Sequence, residues 1–169
     1  EWLIDLGVGE MLAIYIKLAI LLLILFILCY ISNFITKGIL LRGIRAYIKK
    51  TKTTWDDIFV ENKVFITLSH IVPAIIIYLT ATFVFSDFAG AIPYVIRLVN
   101  IYITAILIMV IINFLNALKH IVGTSGFFKG KPVNSIFQLA KIIIYLVGGI
   151  IVLSFLLDKS PLYFFSAIG

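Results

Sequence analysis

Apolar and polar positions fall in long blocks along this chain rather than alternating residue by residue. Four apolar runs stand out, at 11–32, 64–85, 94–118 and 136–157, each 22 to 25 residues long and carrying at most one charged side chain. At about 1.5 Å rise per residue, such a run extends roughly 33 Å or more as a helix. The hydrocarbon core of a bilayer is about 30 Å thick, so each run is long enough to cross it with some tilt. Continuous apolar runs predict helices; barrel strands would alternate. The expected fold class is an all-α membrane protein with four transmembrane helices in one domain over 1–169.

The residues between the runs mark the boundaries. Pro93 opens the third run, Pro132 precedes the fourth and Pro161 follows it. Gly123, Gly126 and Gly130 punctuate the third loop. Pro73 lies inside the second run, where it should kink the helix and free a carbonyl. In 40–52, Leu40, Leu41, Ile44, Tyr47 and Ile48 share one helical side, with Arg42, Arg45, Lys49 and Lys52 beside them. This predicts a basic amphipathic helix that either lies at the membrane surface or extends the first span beyond it. The stretch Thr53-Thr54-Trp55-Asp56-Asp57 pairs each threonine with an aspartate three residues later. That spacing is a helix-start signature and predicts the beginning of the second helix. Trp55 suits an anchor at headgroup level.

Composition agrees with a membrane protein. The chain has 169 residues, of which 63% are hydrophobic and 13% charged, whereas soluble domains are nearer half apolar and a quarter charged. The formal net charge is +6. The basic residues flank the spans, so they point to anionic lipid headgroups rather than nucleic acid. Loop 33–63 carries seven of them, and loop 119–132 carries Lys119, Lys129 and Lys131. Positive loops favour the cytoplasm, which places 33–63 and 119–132 inside and the N-terminus outside. Glu1, Asp5 and Glu10 ahead of the first run argue against a cleaved signal peptide. The chain begins at Glu1 rather than Met, which suggests residues upstream.

Candidate chemistry is sparse. Cys29 is the single cysteine, read as a small buried apolar side chain. His70 and His120 have no carboxylate or cysteine at metal-ligand spacing, so no metal and no cofactor is expected. His70, three residues before Pro73, is placed to bond a freed carbonyl. Lys17 and Arg97 sit in the outer turns of their spans, where they can snorkel outward. Asn100, Asn113 and Asn116 suit hydrogen bonds between helices, and Gly148-Gly149 suits close helix contact. No phosphate-binding loop, nucleophile elbow or dinucleotide fingerprint is present, and the chain is not expected to be an enzyme. Two other readings compete for the function. A small transporter subunit is disfavoured by spans that hold no carboxylate and by the lack of an inverted repeat. A membrane anchor needs a soluble domain fused at one end.

Three segments together resemble the small-conductance mechanosensitive channel family, particularly its miniconductance branch. They are Thr51-Lys52-Thr53-Thr54-Trp55-Asp56-Asp57-Ile58, then Lys131-Pro132-Val133-Asn134-Ser135-Ile136-Phe137-Gln138-Leu139-Ala140-Lys141-Ile142, and finally Ser160-Pro161-Leu162-Tyr163-Phe164-Phe165-Ser166-Ala167-Ile168-Gly169. Their order and spacing match over roughly 51–169. The resemblance implies an ion channel of the bacterial inner membrane, usually a homoheptamer, that opens under bilayer tension to release ions and small solutes in hypoosmotic shock. It implies membrane lipids as partners, with no nucleic acid and no small-molecule substrate. It also implies that a fifth, pore-lining helix starts at Ser166, Ala167, Ile168 and Gly169, so that this chain is the sensor periphery. The residues expected at lipid headgroups are Arg42, Arg45, Lys49, Lys50, Lys52, Lys119, Lys129 and Lys131.

Overall fold

The computed structural model of the chain describes residues 9–48, 55–124 and 133–168, and the regular structure there is helical. Helix α1 is Glu10–Ile48, α2 is Trp55–Glu61, α3 is Val64–Leu68 and α4 is Ile71–Val84. A 3-10 turn, Ser86–Ala91, leads into α5 at Ile92–Thr124; α6 is Val133–Leu157 and α7 is Pro161–Ile168. Among the described residues, four segments are long and apolar enough to cross a membrane: Glu10–Gly43, Val64–Val84, Ser86–Gly123 and Val133–Leu157. The fold is therefore that of an all-α, multi-pass membrane protein.

The spans form a row in chain order. α1 packs chiefly on α4, α4 on α5, and α5 on α6, while α2 and α3 also rest on α5. Neighbouring spans run antiparallel, so the C-terminal ends of α1 and α5 and the start of α6 share one end, here called the basic end. The 3-10 turn and the α6–α7 link share the other, here called the ion-pair end.

Small side chains make the contacts. Ala74 and Ala81 on α4 and Ala117 on α5 are fully buried, and Ser69 between α3 and α4 is equally enclosed. Apolar side chains gain little by leaving lipid for protein, so close approach through small residues has to supply the packing. Gly148 on α6 is the tightest case. A Cβ placed there would collide with Ile108 Cδ1 on α5, while one at Gly149 would meet nothing within 4 Å. Of the two glycines, Gly148 alone forms the contact expected from the pair.

Several boundaries differ from those read in the sequence. Of the two placements read for 40–52, α1 takes the extension of the first span. It continues unbroken to Ile48, about 58 Å in all, and so carries Lys37 and Arg42 on the span's own extension. α5 likewise runs to Thr124, which puts Lys119 on the helix rather than in a loop. The helix-start signature at residues 53–57 precedes a separate helix, α2, opened by Trp55, and does not begin the span. The span begins only at Val64, after a turn in which Lys63 takes a left-handed conformation, φ 59°. α7 opens at Pro161, so Ser166 and Ile168 lie in the last turn of the described helix rather than at a helix start.

The second span is interrupted at Ser69–His70, and Pro73 falls in the first turn of α4. A proline has no N–H and crowds the carbonyl four residues back, here that of Ser69. The α-helical ladder gives way just there, with His70 N bonding Thr67 O at 3.2 Å. Ile66 O then accepts the Ser69 hydroxyl at 2.7 Å and faces His70 Nδ1 at 3.0 Å. The histidine thus serves a carbonyl released by the break, one turn earlier than the one Pro73 leaves unbonded.

Candidate functional site

Polar side chains gather at two levels of the helix row. At the ion-pair end, Lys17 Nζ lies 2.6 Å from Asp87 Oδ2, tying α1 to the 3-10 turn between α4 and α5. The rings of Tyr15 and Phe88 pack beside this pair, 5.7 Å apart. Arg97 on α5 lies 2.8 Å from Asp158 Oδ2, and its guanidinium also sits over Tyr94, 5.9 Å from the ring centre. Lys17 and Arg97, expected to snorkel outward, reach carboxylates on neighbouring elements at this end.

The end of α6 sets the second pair. Asp158 is left-handed, φ 55°, and Lys159 N donates to Ser154 O at 3.0 Å. This is a helix-terminating bond of the Schellman type. An aspartate adopts that conformation more readily than most residues other than glycine. The reversal turns the chain from α6 into α7 and places the carboxylate against α5.

Two hollows lie along the α5–α6 seam. One, about 700 Å³, is at this end and is lined by Arg97 and Asn100 from α5 and by Asp158, Lys159 and Ser160 from the link. The other, about 430 Å³, lies toward the middle of the row and is almost wholly apolar, between Leu107, Ile108 and Ile111 on one side and Ile144, Val147 and Ile151 on the other. Phe155 borders both.

Toward the basic end, polar side chains link all four spans. Ser69 Oγ donates to Asn33 Oδ1 at 3.3 Å, between the α3–α4 break and α1. Asn113 Nδ2 donates to Thr67 Oγ1 at 2.9 Å, between α5 and α3. Lys141 Nζ donates to Asn116 Oδ1 at 2.5 Å, between α6 and α5. Hydrogen bonds of this kind hold helices together in an environment without water. Of the three asparagines expected to bridge helices, Asn113 and Asn116 do so. Asn100 instead lines the first of the two hollows. The ring of Phe59 stacks on that of Phe114 at 5.2 Å, seating α2 on α5.

The basic residues expected to meet lipid headgroups are only partly within the described residues. Arg42 is exposed on α1 and Lys119 is half-buried on α5, both toward the basic end, and Arg45 belongs to the same α1 extension. Lys49, Lys50, Lys52, Lys129 and Lys131 lie outside the described residues, as do Thr53, Thr54 and Gly169. Asp57 is exposed on α2, which also carries Asp56. Ala167 belongs to the last turn of α7. Among the described residues, no three His, Cys, Asp or Glu side chains are grouped to hold a metal ion.

The two ion pairs were not read from the sequence. The available signal was scarcity: one basic residue in the outer turns of each of two spans, and a single acid in each neighbouring link. Which acid meets which base depends on the helix row and on the reversal at Asp158. Comparisons of the chain with protein-family models, with curated proteins and with solved structures gave no match.

Proposed function

We propose that this chain is the tension-sensing portion of a mechanosensitive ion channel. The observation that carries the reading is the exposure of α1. Its most apolar window is only 6% buried, the least of the four spans. Such a helix meets the bilayer along almost its whole length and is held to the protein along one narrow edge. Tension favours whichever state occupies more area in the membrane plane. A peripheral helix that can tilt or move away from α4 changes that area while disturbing little packing.

The basic end supplies a second lever. Arg42 and Arg45 on the α1 extension, with Lys49, Lys50, Lys52, Lys119, Lys129 and Lys131, concentrate positive charge where the topology rule puts the cytoplasm. Anionic headgroups bound there in the closed state would oppose opening, since a ligand shifts an equilibrium by its differential affinity. The setting is a bacterial inner membrane, with the N-terminus periplasmic. The assembly is a homoheptamer that releases ions and small solutes on hypoosmotic shock, in line with the three resembling segments.

Patch-clamp recording of the gene's full-length product in liposomes under graded suction tests this. Tension-gated currents are expected, with a threshold that moves when Arg42, Arg45, Lys49, Lys50 and Lys52 are neutralised. Silence up to patch rupture, with the protein shown to be inserted, would overturn the channel reading in favour of a transporter subunit or an anchor.

A further inference from the structure

Ser69 sits at the break in the second span, fully buried, and its hydroxyl faces two acceptors. One is Ile66 O, 2.7 Å away in its own helix. The other is Asn33 Oδ1, 3.3 Å away on α1. A hydroxyl carries one proton and donates to one acceptor at a time. Ile66 O is a carbonyl that the break releases, since His70 N, its donor in an unbroken helix, bonds Thr67 O instead.

That carbonyl has a second donor. His70 Nδ1 lies 3.0 Å from it. A carbonyl oxygen only accepts, so the proton of the neutral imidazole belongs on Nδ1. A backbone group left unbonded inside a bilayer is heavily penalised. With His70 in place, the Ser69 proton can turn to either acceptor without leaving Ile66 O bare.

The two positions differ in what holds α1. With the proton toward Asn33, Ser69 hooks α1 to the second span. With the proton toward Ile66 O, the hook is open. At this level α1 also meets the span through Cys29, whose Sγ lies 3.7 Å from Pro73 O, a weak sulfur hydrogen bond. Among the described residues, the buried apolar side chains of α1 are Ala13 and Leu25, both ahead of Cys29. Lys17 and Asp87 tie the helix near its start. An open hook therefore frees the basic half of α1 and leaves the other half tied.

We propose that Ser69 is the catch of a joint that docks and releases the basic half of α1, with His70 serving the Ile66 carbonyl in both positions. The hydroxyl rotates between its acceptors, and only hydrogen bonds change. The joint holds whether or not the chain belongs to a channel.

Double electron–electron resonance on the full-length protein in lipid nanodiscs tests this. Spin labels go at Phe34→Cys on α1 and Met109→Cys on α5, both exposed positions, in a Cys29→Ala background. Labelled chain is diluted with unlabelled chain, so that distances are read within one copy. A short and a long distance are expected, for the docked and the released helix. Ser69→Ala should raise the long-to-short ratio about threefold, the effect of losing one average hydrogen bond between membrane helices. His70→Phe should raise it by the same factor, although the His70 ring bonds its own helix and not α1. With one donor left, the hydroxyl stays on Ile66 O and the Asn33 bond is lost. Adding His70→Phe to Ser69→Ala should change nothing further.

Three outcomes would overturn the joint. One is a His70→Phe effect that persists without the Ser69 hydroxyl. Another is a single distance common to all four chains. The third is a His70→Phe chain that matches the parent, because the amide nitrogen of Asn33 would then face Ser69 and the hydroxyl would never have to choose. Channel currents are not part of the readout, so failure here leaves the tension reading standing, and the reverse also holds.

Discussion

α1 and α5 are both long apolar helices, of 39 and 33 residues, yet they hold opposite positions in the molecule. α5 is the centre of the row. It contacts α2, α3, α4 and α6, and its apolar window is 17% buried. α1 lies at the edge, and its window, the more apolar of the two, is 6% buried. In a soluble protein the most apolar helix would be the most enclosed. Here the order is reversed, because lipid is itself an apolar solvent and hydropathy reports only the transfer out of water. What distinguishes α5 is the presence of Val99, Ile106, Ile112 and Ala117 at buried positions, and asparagines at 113 and 116 that bridge to its neighbours. α1 offers few such points: Ala13 and Leu25 buried, Lys17 paired with Asp87, Cys29 Sγ against the Pro73 carbonyl, and Asn33 against Ser69.

This contrast can be broken at graded cost, read as equilibrium unfolding in mixed micelles. The largest loss is expected at the α5–α6 contact. Gly148→Val drives a branched side chain into Ile108 and should cost about 1–3 kcal/mol, the usual range for overpacking. Ile108→Ala in the same chain should recover part of that loss, and Gly149→Ala should be close to neutral. Next comes the polar link of α5 to α3. Asn113→Leu removes the hydrogen bond to Thr67, a loss of about 0.6 kcal/mol on average and up to about 1.7 for such bonds in membranes.

A smaller effect is expected where α1 is tied to the turn. A double-mutant cycle of Lys17→Gln and Asp87→Asn should give a coupling of about 0.2–1 kcal/mol, as for exposed ion pairs. The coupling should fade as salt is raised. Smallest of all is Phe26→Ala on the open face of α1, where the ring is 73% exposed. A change within about 0.5 kcal/mol is expected for a side chain away from packed features. A loss of several kcal/mol there would mean that α1 is covered by a partner and not by lipid, and would remove the observation on which the tension reading rests.

Much of the fold was legible because the bilayer imposes a length and a hydropathy on anything that crosses it. The four spans, their helical character and the shared side of the two basic loops follow from that constraint. Pro93 and Pro161 lie in the first turns of α5 and α7, where a missing N–H is harmless. Pro73 was legible as a disturbance, but the ladder yields at Ser69–His70, where the carbonyl it leaves unbonded lies. The continuation of α1 to Ile48 was legible as one of the two placements that the amphipathic pattern of 40–52 allows, whereas that of α5 to Thr124 was not legible. Outside the hydrocarbon core, no apolar block is needed to sustain a helix that has already formed.

The sequence by itself determined that this chain lives in a membrane, how many times it crosses, and which loops lie together. Only the tertiary structure decided that α1 is the edge and α5 the centre. It alone paired Lys17 with Asp87 and Arg97 with Asp158, and it alone left a polar and an apolar hollow along the α5–α6 seam. The physical reason is that crossing a bilayer is a transfer from water to lipid, which each residue reports separately. Packing within the bilayer exchanges lipid for protein, and the small margin there depends on which side chains meet.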